Sequence, residues 1–143
     1  MTETDVQKQI EAARQGNHFF RNIYWNGTWE ADLIEVNSMD FITEFEVKVS
    51  KQDFKMDLLH KEEKHNHFRT LHDLSMLPNY FNYVCPEGMI KEEEVPEYAG
   101  LMYVVKRNLQ KTIWTIKKAP VLHNDKVYPD KWREIALKLS RRL

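Results

Sequence analysis

The stretch Phe45-Glu46-Val47-Lys48-Val49-Ser50, within the longer run DFITEFEVKVSKQDFKMD from Asp40 to Asp57, decides how this chain folds. Side chains of an extended strand alternate between its two faces. Phe45, Val47 and Val49 therefore share one face, while Glu44, Glu46, Lys48 and Ser50 share the other. The apolar face is core. Ser50-Lys51-Gln52-Asp53 then reads as a capping box that opens a helix running, with a break, to about His72. A strand that feeds straight into a helix predicts a crossover returning the chain parallel to a neighbouring strand.

Upstream, Thr2 or Thr4 caps a first helix to about Gln15, with Val6, Ile10 and Ala13 as its apolar stripe and Gly16 at its end. HFFRNIYW and TWEADLIEV flank Asn26-Gly27, a pair that tolerates the positive φ angles of a type I′ turn. Strands are expected over His18 to Trp25 and Thr28 to Val36, and a turn around Ser38 leads to a third from Phe41 to Val49. Downstream come NYFNYVC after Pro78, an acidic loop PEGMIKEEEVPEYAG, then LMYVVK, KTIWTIKK and a C-terminal helix PDKWREIALKLSRRL. The fold class that follows is α/β, a mixed sheet flanked by helices, as one domain over residues 1–143.

A chain of 143 residues can bury a core without disulfides, and its single cysteine, Cys85, has no intrachain partner. The opening MTETDVQKQIEAARQ lacks a signal peptide's apolar centre, and no run approaches the roughly 20 apolar residues of a membrane span. A soluble cytoplasmic protein is expected. The net charge of −1 conceals an asymmetry: Lys and Arg number 6 against 11 Asp and Glu up to Asp57, 4 against 8 from Leu58 to Val105, and 11 against 3 thereafter. A basic final third on an acidic body suits a polyanionic partner held beside a cation-binding site; a solvated helix and hairpin explain the same charges equally well.

The turn between the second and third strands sets the chemistry. If Asn37 faces Phe41 across Ser38-Met39-Asp40, Asp32 lies opposite Glu46; an even-numbered loop would place it opposite the other face. Two carboxylates with Cβ atoms about 4.5 to 5.5 Å apart repel unless positive charge lies between them. Lys48 supplies one such charge, and hard carboxylate oxygens suit Mg²⁺ or Mn²⁺ for another. A cation so held polarises a phosphoryl oxygen and acidifies water, while Lys48 orients or deprotonates the nucleophile or offsets transition-state charge.

The pattern D-x(13)-E-x-K, spread over two strands after a helix, resembles the PD-(D/E)xK nuclease superfamily, although Ala31 stands where the name has proline. EADLIEV, FEVKVSKQDFKMD, NYFNYVCPEG, YAGLMYV and KKAPVLH resemble, more narrowly, successive blocks of the MmcB-like DNA-repair proteins. The resemblance implies a restriction-endonuclease-like α-β-β-β-α-β core and a metal-dependent DNA nuclease of repair or recombination. It implies that Asp32, Glu46 and the carbonyl of Val47 bind Mg²⁺ or Mn²⁺, that Lys48 is the catalytic lysine, and that homodimers are common. An acid from the first helix often joins such sites; Glu3, Asp5 and Glu11 compete for that place. The alternative is a nucleic-acid-binding module with the same fold that does not cut.

Further residues have two readings each. Lys51, Lys55, Lys61 and Lys64 track a nucleic-acid backbone or simply solvate a helical face. Lys131, Arg133, Lys138, Arg141 and Arg142 contact DNA or complement a helix C-terminus. Asp53 joins the site or serves its helix cap. His60, His65, His67 and His72, with Cys85, are ligand types for zinc, but no pair of them has the spacing of ligands on one helical face. Trp25 and Tyr80 stack on bases or fill the core, Tyr24 and Trp29 pair across the Asn-Gly turn, and Phe81, Tyr83 and Tyr103 alternate as strand cores do. The acidic Glu92-Glu93-Glu94 faces away from a polyanion.

Overall fold

The computed structural model describes residues 1–25, 29–70, 77–126, 134, 135 and 137. Its elements run α1 (Glu3–Ala13), β1 (His18–Ile23), β2 (Ala31–Val36), β3 (Ile42–Val47), α2 (Lys51–His60), α3 (Glu62–Thr70), β4 (Tyr80–Pro86), a 3₁₀ turn (Glu92–Glu94), β5 (Gly100–Arg107) and β6 (Gln110–Lys117). The α-β-β-β-α-β order is present, the crossover being two helices rather than one. The six strands form a single mixed sheet in sequence order. β1, β2 and β3 pair antiparallel, β4 and β5 add parallel, and β6 closes antiparallel. The fold class is α/β.

Local chemistry accounts for the boundaries near the site. The Asn37 N–H donates to the Phe41 carbonyl at 3.0 Å, closing the three-residue loop between β2 and β3. The Asn37 side-chain oxygen also accepts the Met39 and Phe41 N–H groups, at 2.9 and 3.1 Å. Asp40 takes a positive φ of 65°, which aspartate tolerates. Ser50 caps α2 by accepting the Asp53 N–H at 3.1 Å. All three strands β1 to β3 are shorter than the sequence pattern suggests, and Val49 lies beyond β3, 37% exposed. The Asn26-Gly27 turn and residues 71–76 with His72 lie outside the described residues, as does most of the expected C-terminal helix with Lys131, Arg133, Lys138, Arg141 and Arg142.

Both faces of the sheet are covered. On one, Val6 and Ile10 of α1 pack on Leu33, Phe45, Val47, Val84 and Val104. On the other, Phe54 of α2 and Phe68 of α3 pack on Phe81, Tyr83 and Leu101. Phe81 meets Tyr83 and Phe54 meets Tyr83 edge-on, at 5.2 Å between centroids in each case. Ile135, in a helical stretch, is buried with Ile34, Val36 and Ile42. β3 thus has helices over both sides, and Glu44 and Glu46 are 0% and 1% exposed. The alternation of β3 records a boundary between apolar and ionic packing, not between core and solvent.

Candidate functional site

β2 and β3 pair Leu33 with Phe45 and Ile34 with Glu44. Continuing that antiparallel ladder by one residue sets Asp32 opposite Glu46, as the odd loop requires. The Asp32 Oδ2 accepts the Val47 N–H at 2.8 Å. Lys48 follows β3 directly, and its N–H donates to the Val84 carbonyl at 2.9 Å, continuing the parallel contact with β4. Asp32, Glu46, Val47 and Lys48 line one cavity of about 310 Å³. Its wall is completed by Glu3 of α1 and by Asp53, Met56, Asp57 and Lys61.

The first helix contributes Glu3, because its other two acids are used elsewhere. Asp5 and Thr2 cap α1 reciprocally, at 2.9 and 3.1 Å, and Glu11 accepts from Arg21 at 2.6 Å. α1 is held over the site by Gln7, whose amide donates to the Asp32 carbonyl at 2.7 Å.

Around Glu46 the residues form a compact ion cluster. Its Oε1 lies 2.7 Å from the Lys61 Nζ and 3.1 Å from the Lys48 Nζ, and its Oε2 lies 3.2 Å from the Lys64 Nζ. Lys64 also reaches Glu44 Oε2 at 2.8 Å. Asp57 Oδ1 lies 3.0 Å from Lys61 and 3.3 Å from Lys48. Three carboxylates thus face three ammoniums. Burial opposes the charge of Glu46, but Lys64, Lys61 and Lys48 outweigh it and hold the carboxyl below its usual range. Burial also opposes ionisation of Asp57, but the hydrogen bond from His65 with the charges of Lys48 and Lys61 outweighs it and holds this carboxyl below its usual range too.

Asp32 is the opposite case. Burial, then the charges of Glu46 and Glu3, push its carboxyl up to about 8, against the Val47 hydrogen bond and Lys48. Among the described residues no ion pair neutralises it. The carboxylates of Asp32 and Glu46 are of the donor type a hard divalent cation prefers, and a cation between them would relieve the repulsion that, with burial, raises the Asp32 carboxyl. As placed, no three His, Cys, Asp or Glu side chains among the described residues converge on one ion position.

Several expectations change. Lys64 does not track a nucleic-acid backbone: it is 3% exposed and committed to Glu44 and Glu46, with its Nζ 5.0 Å from the centre of the Phe81 ring. Lys51 is tied to Glu94 of the 3₁₀ turn and to the Met89 carbonyl, the latter at 3.2 Å. Lys55 is exposed. Trp25 is buried, so it stacks on no base; its indole and that of Trp29 donate to Glu44 Oε1 at 3.2 and 3.3 Å. Tyr80 is half-buried. Of the histidines named above, His65 binds Asp57 and Tyr98, whereas His67 packs its ring 5.8 Å from that of Trp29; the His60 side chain and His72 lie outside what the structure describes. The Cys85 thiol is buried and pushed up to about 11, chiefly by burial.

Asp57 is absent from the pattern read in the sequence, where Glu44 stands only as a member of the polar strand face and His65 only as a zinc-ligand type. One signal points to Asp57: a polar strand face carrying Glu44, Glu46 and Lys48 must meet polar residues on the crossover. Asp53, Asp57 and Lys61 fall four residues apart along α2 and its C-terminal cap, hence on one helical face.

No family model matches the chain, and no curated protein matches it. Among solved structures it is similar to a protein of unknown function from Silicibacter pomeroyi, with a TM-score of 0.63 and 14% identity over 99% of this chain and 86% of that one. At that identity the likeness shows the fold alone. Among the described residues, no helix is long and apolar enough to cross a membrane.

Proposed function

We propose that this protein is a metal-dependent DNA nuclease of the PD-(D/E)xK type, cutting phosphodiester bonds in DNA repair or recombination. The observation that carries the reading is the placement of Asp32, Glu46 and Lys48 around one cavity, across adjacent antiparallel strands. Asp32, Glu46 and the Val47 carbonyl would hold Mg²⁺ or Mn²⁺, which when bound supplies Lewis-acid polarisation of the phosphoryl oxygen and a more acidic water. Lys48 stands beside that position and offsets charge that builds on the phosphate. Glu3 adds negative charge from α1, and Lys55 offers an exposed contact for a flanking phosphate.

The test is cleavage of duplex, single-stranded and branched DNA by purified protein with Mg²⁺ or Mn²⁺. Glu46→Gln and Lys48→Ala should abolish cutting while circular dichroism shows a folded chain. Wild type and both variants behaving alike on all three substrates would overturn the reading.

A second reading has its own support. Both oxygens of Glu46 are already held by three ammoniums, which suits a nucleic-acid-binding module that keeps the fold and does not cut. Binding with a steep salt dependence and no product under any metal favours this alternative.

A further inference from the structure

We infer that Asp57 is the residue that positions Lys48: a carboxylate fixed from behind by the core and aimed at the ammonium across the cavity. What Lys48 accomplishes rests on the nuclease reading; where Lys48 is held does not. Among the described residues Lys48 Nζ has two carboxylate partners, Glu46 Oε1 at 3.1 Å and Asp57 Oδ1 at 3.3 Å. Glu46 sits two residues away on the same strand and is the group that a cation would claim. Asp57 comes from α2, on the other side of the cavity, and remains when Glu46 is engaged.

The support behind Asp57 sets it apart from an ordinary buried counter-ion. Its Oδ2 accepts the Tyr83 hydroxyl of β4 at 2.9 Å and lies 3.0 Å from His65 Nε2 of α3. With the His65 proton on Nε2, Nδ1 accepts the Tyr98 hydroxyl. Tyr83 is in position because β3 and β4 pair Glu46 with Tyr83. A carboxylate gripped by groups from β4 and α3 has little rotational freedom, so its Oδ1 stays within ion-pair distance of Lys48 and Lys61, at 3.3 and 3.0 Å. Asp53, one turn earlier on the same face, is exposed. A long, flexible lysine confined in this way keeps its ammonium beside the reacting position, which is how orienting groups raise turnover without changing substrate affinity.

The experiment uses the full chain, with side-chain NMR of ¹⁵N-labelled lysine alongside kinetics on DNA. In wild type the Lys48 Nζ should relax as a motionally restricted group, distinct from exposed Lys55. Asp57→Asn should free it, lower kcat by roughly 100-fold and leave KM within a few-fold, the pattern of a misplaced reacting group. Mn²⁺ affinity by calorimetry should stay within a few-fold. If Asp57→Asn does not fold, Tyr83→Phe, which keeps the charge and removes one support, should partly free Lys48. A wild-type Lys48 as mobile as Lys55, or unchanged Lys48 order or kcat in a folded Asp57→Asn, overturns the inference. If wild type cuts no DNA, the nuclease reading fails and the Lys48 relaxation data alone decide the positioning role.

Discussion

Lys61 Nζ lies 2.7 Å from Glu46 Oε1, so the side chain of the residue that ends α2 occupies an oxygen that a cation would need. Lys61 is also the accessible member of the cluster, its side chain 41% exposed. Lys61→Ala should therefore raise the affinity for Mn²⁺. A half-exposed ion pair is worth about 1 kcal/mol at most, which corresponds to a gain of up to about fivefold. Calorimetric titration of the two proteins measures it, and weaker binding in the variant would show that Lys61 assists the cation instead.

Asp32 makes metal-free stability depend on pH. Its carboxyl is raised from 3.8 to about 8, chiefly by burial and then by Glu46 and Glu3, so the folded state favours the protonated acid. The stabilisation that protonation provides is complete below pH about 4 and fades as pH climbs, vanishing above about 8. One pKa unit is about 1.4 kcal/mol, so even a third of this displacement amounts to on the order of 2 kcal/mol. With a chelator present, Asp32→Asn should melt roughly 5 °C above wild type at pH 8. The two should converge at pH 4.

Lys64 and Lys55 should separate folding from binding. Lys64→Met leaves Glu44 and Glu46 buried without their shared ammonium, a loss of about 3 to 5 kcal/mol by urea unfolding. Lys55→Ala, at an exposed position, should change stability by less than about 0.5 kcal/mol. If nucleic acid binds along α2, it should lower the salt dependence of binding by about one phosphate contact.

Gly100 should not accept a side chain. A Cβ there would lie 2.1 Å from Asn82 Oδ1 and 2.7 Å from the Ala119 nitrogen. Asn82 pairs directly with Gly100 across β4 and β5, so neither strand can yield alone. Gly100→Ala should cost at least about 2 kcal/mol, read from thermal melts.

The register that brings Asp32 to Glu46 is legible in the sequence because local residues set it: Asn37 and the three residues after it close the turn. The start of α2 is legible for the same reason, from Ser50 and Asp53. The burial of the polar face of β3 is not. Alternating polar and apolar residues describe a half-exposed strand equally well, and it is partners from elsewhere in the chain, Lys61 and Lys64 of the crossover with Trp25 and Trp29, that turn that face into an interior. Their pairing with Glu44 and Glu46 depends on how two helices fold back over the sheet. His65 meets Tyr98 across 33 residues, a separation at which spacing carries no information. The same folding-back removes Lys64 from the surface where a lone basic residue invites a phosphate.

The balance of Glu44, Glu46 and Asp57 against Lys48, Lys61 and Lys64 has a consequence for how such a chain can drift. Losing a member of its fully buried part, Glu44, Glu46 or Lys64, strands an opposite charge in a medium that solvates it poorly. Neutral substitutions at those three positions are therefore least costly in compensated pairs, acid with base. Descendants of this sequence should exchange these positions together, and a homologue that dispenses with chemistry would still inherit most of them as part of its interior.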